Sequence, residues 1–311
     1  MLKNDVLNIL ETERPRPVSG QEMADRFGVS RNAVWKVINQ LKTEGHKIAS
    51  VKAGYYLQEE SDLLSVPGIR HFLSIADDQE RGSGEKCPAS EGELKKDLKK
   101  DLKKDLIIEV YDIIDSTNNE AKRRLGSGDS GNLLIVADRQ TAGRGRMGHS
   151  FYSPEHTGIY MTLSIELVKP LFHPERITLA AAVAVVRAVE PFLSDRLRLK
   201  WVNDIFYREK KVCGILSEGI TDLETGLIQH AIVGIGLNVR PVDFPLDLVG
   251  IAGSLDLSAP TRNEIVGRIT NELLILYQDP DSDVYLEEYL THSMHPEKVR
   301  EYLDSEKNSK I

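Results

Sequence analysis

The chain has 311 residues, a hydrophobic fraction of 41% and a net charge of −8, a composition typical of a globular protein with room for about two domains. No apolar run approaches the ~20 residues of a membrane-spanning helix, and the first residues lack a signal-peptide core, which predicts a protein without membrane segments. The two cysteines, Cys87 and Cys213, and the absence of metal-ligand spacing favour a reducing cytoplasm and predict no bound structural metal.

The charge is distributed unevenly along the chain. Residues 1–58 contain nine Lys or Arg and six Asp or Glu, so this segment carries about +3 and the remainder about −11. A basic end on an acidic protein is a weak indication of nucleic-acid binding.

The first 60 residues have the element order of a winged helix-turn-helix. A first amphipathic helix ends before Pro15, and Ser19 with Glu22 spells a capping box for a second helix through Phe27. Ser30 begins a third helix that ends at Glu44. Two short strands follow, at 46–51 and 54–57. We therefore predict a winged helix-turn-helix domain in residues 1–60.

The third helix carries the residue types that contact DNA. Its predicted apolar stripe consists of Val34, Val37, Ile38 and Leu41, and we predict that Trp35 joins the core. Polar side chains suited to base edges and phosphates are predicted to bind DNA, namely Arg31, Asn32, Lys36, Asn39 and, at the wing, Lys52. The alternative is a small domain that packs on or contacts protein.

Residues 61–106 are predicted to be a linker. Between Leu94 and Leu106 the chain repeats Leu-Lys-Lys-Asp three times, which predicts a short solvated spacer helix, although tandem duplication explains the repeat equally well. From Ile107 to about residue 290 the pattern predicts an α+β domain with a mixed sheet. The predicted strands are 107–110, 133–137, 159–165, 197–201, 212–218 and 229–237, and the main helices are 118–125, 174–192 and 261–277.

A glycine-rich loop lies inside this domain. Gly143-Arg-Gly-Arg-Met-Gly148 matches the spelling of a dinucleotide-binding fingerprint, but the residues that follow have no helical period and reach a proline at 154. The glycines therefore lie in a loop that follows a strand. Backbone amides and two guanidinium groups favour an anionic ligand.

Five motifs occur together in one order: Asp115-Ser-Thr-Asn, Gln140-x-x-Gly-Arg-Gly-Arg, Lys200-Trp-x-Asn-Asp, Lys211-x-x-Gly-Ile-Leu and Gly234-x-Gly-x-Asn. This combination resembles the biotin–protein ligase family. With the winged helix-turn-helix before it, the chain resembles the bifunctional class whose members are both ligase and biotin-operon repressor.

The resemblance implies an enzyme that joins biotin to ATP, with Mg²⁺, to form biotinoyl-AMP, and then transfers the biotinoyl group to a lysine of biotin carboxyl carrier protein. Biotinoyl-AMP would also be the corepressor, promoting a homodimer that binds operator DNA. The implied catalytic residues are Lys211, Arg144 and Arg146. The implied biotin-binding residues are Ser116, Thr117, Asn118, Gln140, Gly143, Arg144, Gly145, Arg146, Lys211 and Gly214, and the implied nucleotide-binding residues are Arg146, Asn203, Asp204 and Asn238. Cys213 is predicted to be a core residue.

The chain departs from the family pattern after the ligase domain. Relatives usually end in a small SH3-like barrel, but residues 291–311 cannot supply its strands, so we predict a truncated C-terminal remnant. This leaves open a DNA-binding biotin or biotinoyl-AMP sensor with weak or lost ligase activity. A lipoate-type ligase is a third alternative, which the Gly-Arg-Gly-Arg loop disfavours.

Overall fold

The computed structural model describes residues 2–59, 61–79, 105–128, 131–171, 173–221, 224–279 and 282–309. These residues form two compact units. The first contains the described residues up to 79 together with Pro260–Arg268, and the second contains those from 105 to Ala259 and from Ile269 onward. The domain boundaries predicted from sequence did not anticipate that Pro260–Arg268 groups with the N-terminal unit. Each unit is described separately below.

The N-terminal unit has the predicted element order. It contains α1 (Leu2–Thr12), α2 (Gly20–Phe27), α3 (Arg31–Thr43) and an antiparallel hairpin of β1 (Ile48–Val51) and β2 (Gly54–Leu57). The Ser19 hydroxyl accepts the Glu22 N–H at 3.0 Å, and the Ser30 hydroxyl accepts the Ala33 N–H at 3.1 Å, so both predicted serine caps are confirmed. Gly28 ends α2 in the left-handed conformation that glycine favours.

The core of this unit corrects the prediction for Trp35. Val34, Ile38 and Leu41 of α3 are fully buried against α1, whereas 51% of Trp35 is exposed. Residues 34, 38 and 41 are spaced by four and three and share one helix face, and position 35 is rotated by about 100° from position 34. Trp35 therefore lies on the outer face of α3.

The predicted linker begins with a helix. Helix α4 (Val66–Gln79) buries Ile69 and Leu73 and packs against α1. At its start, the Ser65 hydroxyl accepts the Gly68 N–H at 3.1 Å, and the Ser65 N–H donates to Asn263 at 3.0 Å. We predicted no element here because we read the whole segment as a spacer. The predicted Leu-Lys-Lys-Asp helix lies outside the described residues, apart from Asp105 and Leu106.

The second unit is built on a seven-stranded mixed sheet, which confirms the predicted class. Its order is β3-β4-β5-β9-β8-β7-β6, and the β3–β4 pair is parallel whereas the other pairs are antiparallel. The strands are β3 (Ile107–Ile114), β4 (Leu133–Gln140), β5 (Gly158–Leu171), β6 (Arg198–Lys200), β7 (Asp204–Tyr207), β8 (Lys210–Thr221) and β9 (Ile228–Asn238). β7 was not among the predicted strands.

The helices of this unit are α5 (Thr117–Gly126), α6 (Glu175–Val189), α8 (Val284–His292) and α9 (Pro296–Ser309). The first residues of α7 (Arg262–Leu276), up to Arg268, group with the N-terminal unit, and the rest of α7 groups with this one. Helix α5 packs on β4, β5 and β9, where Ala121 forms a buried apolar cluster with Leu133, Ile135 and Ile232. Its N-cap is Ser116, whose hydroxyl accepts the Asn119 N–H at 3.5 Å.

The segment predicted to be a C-terminal remnant is helical. Helix α8 and helix α9 follow one another, and between them Met294 donates its N–H to the Leu199 carbonyl of β6 at 2.8 Å. The rings of Trp201 and Tyr302 lie 5.3 Å apart, and the Tyr289 hydroxyl donates to the Val202 carbonyl at 3.3 Å. These contacts place the C-terminal helices beside the Lys200-Trp-x-Asn-Asp motif.

No helix among the described residues combines the length and the apolar character that crossing a bilayer requires.

Candidate functional site

Most of the predicted site residues of the second unit meet in one cavity of about 330 Å³. Those that line it are Ser116, Thr117, Asn118, Gln140, Arg144, Gly145, Arg146, Asn203, Asp204, Lys211 and Gly214. They come from the start of α5, the end of β4, the loop after it, and the first residues of β7 and β8. Two predicted residues do not line the cavity. Gly143, the first glycine of the loop, lines a different cavity, and the Asn238 side chain donates to the Gly253 carbonyl at 2.9 Å.

The loop after β4 is a small hairpin and not the start of a helix. The Phe151 N–H donates to the Gly143 carbonyl at 2.9 Å, and the Gly145 N–H donates to the His149 carbonyl at 2.7 Å. A side chain at Gly143 would meet the Phe151 carbonyl at 2.4 Å, so this position needs glycine for the hairpin to close. The dinucleotide-binding interpretation is therefore excluded by the local fold, as the sequence indicated.

Glycines of the sheet allow an aromatic ring to approach the backbone. A Cβ at Gly236 would lie 2.6 Å from the Phe151 ring, and one at Gly214 would lie 3.4 Å from it. At Gly234 a Cβ would lie 1.9 Å from the Asn118 side-chain oxygen. The cavity floor is thus backbone from β8 and β9, with Phe151 and the Asn118 amide packed directly on it.

A hydrogen-bonded group of amides and hydroxyls forms one wall. The Gln140 side-chain oxygen accepts the Thr117 N–H at 2.9 Å, and its nitrogen donates to the Ser153 hydroxyl at 3.0 Å. The buried Thr162 hydroxyl lies 2.8 Å from the Thr117 hydroxyl and 2.7 Å from the Asn118 side-chain oxygen. These contacts fix the orientation of neutral donors and acceptors, which suits a neutral polar ligand group.

Cationic side chains also belong to the lining. The Lys211 ammonium lies 2.7 Å from an Asp204 carboxylate oxygen. Arg146 donates to the Asn203 side-chain oxygen at 3.4 Å, and Arg144 donates to the Asn119 side-chain oxygen at 3.0 Å. Three cations and one carboxylate therefore face the cavity, which favours an anionic ligand.

Two residues near the cavity have shifted acid–base properties. Hydrogen bonds from Arg123 hold the pKa of Asp115 well below the usual range of a carboxyl group. Burial raises the pKa of the Cys213 thiol above its ordinary value, and Cys213 is fully buried in β8, which confirms the prediction that it is a core residue.

Sequence reasoning missed the apolar part of the lining. Phe151, Met161, Ile215, Leu216 and Ile235 contribute to the cavity, and none was among the residues that we predicted to bind a ligand, although Ile215 and Leu216 lie in the Lys211-x-x-Gly-Ile-Leu motif. The spacing of Gly234 and Gly236 within a strand was the available signal, because glycine in a strand interior marks a close approach. It indicated that something lies on the sheet, but not which side chain.

A second candidate surface lies in the N-terminal unit. Arg31, Asn32 and Lys36 are exposed on α3 and Asn39 is half-buried, and positions 32, 36 and 39 follow one helix face. Lys52 is exposed between β1 and β2. Trp35 lies on the same outer surface of α3. The predicted DNA-binding residues of the helix therefore share one surface with an indole ring among them.

Comparison with known proteins assigns both units. A model of an HTH domain matches residues 3–56, and one described as the Biotin/lipoate A/B protein ligase family matches residues 110–238. The Bifunctional ligase/repressor BirA of Bacillus subtilis (strain 168) is 32% identical over 301 residues, which are 96% of this chain and 82% of that protein. The chain belongs to the bifunctional ligase/repressor family.

Within this bifunctional ligase/repressor, the ligase match spans every predicted cavity residue from Ser116 to Gly214. The Biotin--[acetyl-CoA-carboxylase] ligase of Mycobacterium tuberculosis (strain ATCC 25618 / H37Rv) is 32% identical over 165 residues, or 51% of this chain and 59% of that protein. The biotin protein ligase from Aquifex aeolicus in complex with biotin and ATP is 25% identical, with a TM-score of 0.48, over 60% of this chain and 78% of that one.

Proposed function

We propose that the chain is an ATP-dependent biotin–protein ligase that is also a biotin-responsive transcriptional repressor. The observation that carries the ligase function is the single cavity in which Lys211, Arg144 and Arg146 face a wall of neutral amides and hydroxyls. Joining a carboxylate to a triphosphate brings two anions together, and cationic donors offset their repulsion. The activated product is the adenylate itself, so the chemistry needs no side-chain nucleophile.

The two walls of the cavity suggest how biotin lies. The ureido ring is neutral and carries both donors and acceptors, which matches Ser116, Thr117, Asn118 and Gln140. The apolar side formed by Phe151 and Met161 suits the bicyclic ring and the carbon chain. The biotin carboxylate would then reach Lys211, with Gly145 and Gly214 allowing close approach of the backbone, and Gly143 would act by letting the hairpin close.

The nucleotide would lie on the side of the cavity formed by Asn203 and Asp204, with Arg146 next to the phosphates. Asn238 remains a proposed nucleotide-binding residue, but its role would be indirect. Its side-chain amide donates to the Gly253 carbonyl and would hold that segment in place. Among the described residues no group of three metal-ligating side chains occurs. Mg²⁺ bound through substrate phosphates needs only one or two carboxylates, and Asp204 can supply one.

The partners follow from the two units. A biotin carboxyl carrier protein would present the acceptor lysine to the cavity, and operator DNA would contact Arg31, Asn32, Lys36, Asn39 and Lys52. A ligand-promoted homodimer would place two copies of α3, one from each chain, on a two-fold symmetric operator. A cytoplasmic location remains a prediction from the cysteine content.

The experiment that tests this proposal is transfer of labelled biotin to a purified biotin carboxyl carrier domain with Mg-ATP. We expect transfer by the wild type and its loss in Lys211→Ala. Lys200→Ala is the matched control, because Lys200 is an exposed lysine of the same unit that does not line the cavity. No transfer by the wild type, with biotin still promoting operator binding, would show that the chain is a sensor-repressor without the enzyme.

A further inference from the structure

Arg144 is connected to the body of the ligase unit through a chain of three side chains. It donates to the Asn119 side-chain oxygen at 3.0 Å, and the Asn119 nitrogen donates to an Asp115 carboxylate oxygen at 2.9 Å. Arg123 in turn contacts both Asp115 oxygens, at 2.7 and 3.1 Å. Asn119 does not line the cavity and had no role in the function proposed above.

The Asp115 carboxylate fixes which way the Asn119 amide points. An ionised carboxylate accepts hydrogen bonds and cannot donate them, so it must face the amide nitrogen. The amide oxygen is then left to face Arg144, which can only donate. The hydrogen-bond chemistry of the chain therefore allows one amide orientation, and that orientation is the one that holds Arg144.

The arrangement also keeps the charge of Arg144 available. Asp115 is the nearest carboxylate in this chain of contacts, but Arg123 occupies it in a bidentate pair. A neutral amide separates the Asp115 charge from Arg144. The Arg144 guanidinium is thus positioned without being neutralised, which a direct pair with a carboxylate would not achieve.

We propose that Asn119 is a positioning residue that holds Arg144 toward the cavity in a charged, uncompensated state for adenylate formation. This inference rests on the proposed ligase function. It predicts that removing the amide and replacing it by a carboxylate have different consequences, although both change the same contact.

The test measures kcat/KM for biotin-dependent pyrophosphate release in wild type, Asn119→Ala, Arg144→Ala and the double variant. We expect Asn119→Ala to lower kcat/KM roughly 5- to 20-fold, the size of a lost coupled contact. In the Arg144→Ala background the same substitution should have no further effect. An Arg146→Ala background is the matched control, where the full Asn119 effect should persist.

Asn119→Asp separates positioning from charge. Repulsion from Asp115 would turn the new carboxylate toward Arg144, so we expect a larger loss than in Asn119→Ala, and one that shrinks as salt is added. An equal Asn119→Ala effect in the Arg144→Ala and wild-type backgrounds would overturn the inference, as would an active Asn119→Asp variant. A wild type that releases no pyrophosphate with biotin would instead overturn the proposed function.

Discussion

Lys211 and Asp204 are paired across neighbouring strands, with the ammonium nitrogen 2.7 Å from a carboxylate oxygen. Asp204 begins β7 and Lys211 is the second residue of β8, and the β7–β8 register is irregular beside them, between Ile205 and Phe206. The pair lies at the cavity, so a carboxylate already offsets the positive charge of Lys211 before any ligand binds. The same carboxylate affects Tyr289 of α8. Burial, and after it the negative charge of Asp204, raise the pKa of the Tyr289 hydroxyl above its ordinary value.

Asp204→Asn should therefore weaken the binding of Mg-ATP more than the binding of biotin. Removing this carboxylate deletes the proposed Mg²⁺ ligand and the partner of the Lys211 ammonium, so we expect the KM for Mg-ATP to rise about tenfold or more while the KM for biotin changes little. Initial rates at varied Mg²⁺ and ATP measure this. Asp112→Asn, at an exposed position of β3, is the control. Equal changes in both KM values would contradict the assignment.

Gly236→Ala should close part of the cavity without unfolding the sheet. The new methyl would lie 2.6 Å from the Phe151 ring, so the ring must shift, and Phe151 lines the space that we assign to biotin. We expect biotin affinity, measured by calorimetry, to fall by about tenfold or more, since overpacking a close contact typically costs 1–3 kcal/mol. Gly126→Ala is the matched control, because nothing lies within 4 Å of a Cβ there.

Trp35→Ala should weaken operator binding while leaving the N-terminal unit folded. The indole is 51% exposed beside Arg31 and Lys36, and an apolar side chain in a major groove contacts thymine methyl groups. We expect a loss of about 1–3 kcal/mol in specific binding and an unchanged salt dependence. Lys36→Ala should instead lower the slope of log K against log salt by about 0.9, if it contacts a phosphate. Unchanged operator affinity in Trp35→Ala would place the indole outside the interface.

The stability of the N-terminal unit should depend on the ionisation of Glu11. Burial raises the pKa of Glu11 to about 7, even though Arg14 lies 3.5 Å away. Folding therefore favours the protonated carboxyl, and its contribution is complete below about pH 4.5 and is lost as the pH rises through 7. Glu11→Gln should be more stable than wild type at pH 8, by on the order of 1 to 3 kcal/mol, and similar to it near pH 4.5.

Urea unfolding followed by Trp35 fluorescence in a Trp201→Phe background measures this unit alone. The informative quantity is the difference between wild type and Glu11→Gln, because burial lowers the pKa of His46 and of His71, and these histidines change stability in the opposite direction over the same pH range. A difference that does not vary between pH 4.5 and 8 would contradict the assignment to Glu11.

The elements that could be predicted from sequence are those whose signals are local. Ser19 and Ser30 sit directly before the helices that they cap, and the apolar period of α3 identified its buried face. Helix α4 was missed because we assigned the whole of residues 61–106 to a linker. Ile69 and Leu73 are nevertheless spaced by four, as in an amphipathic helix. Trp35 was misplaced because size and hydrophobicity were given more weight than helix angle.

The polar residues of the site could be predicted from the sequence, whereas its apolar lining residues could not. Motifs fixed which amides and cations belong together, because their chemistry is specific. Phe151 has no such signature, and its role depends on the absence of side chains at Gly214 in β8 and Gly236 in β9, which are far from Phe151 in the chain. The Arg144–Asn119 contact likewise joins a loop to a helix, and no spacing within either segment reveals it.

The contact between Met294 and Leu199 bears on how the sheet ends. β6 is the last strand in the sheet order and has three residues, and its Leu199 carbonyl already accepts a hydrogen bond from the connection between α8 and α9. Short strands and covered backbone groups are the means by which proteins prevent edge-to-edge aggregation. Cutting the chain before Met294 would therefore bare this carbonyl and leave a template for intermolecular strand pairing.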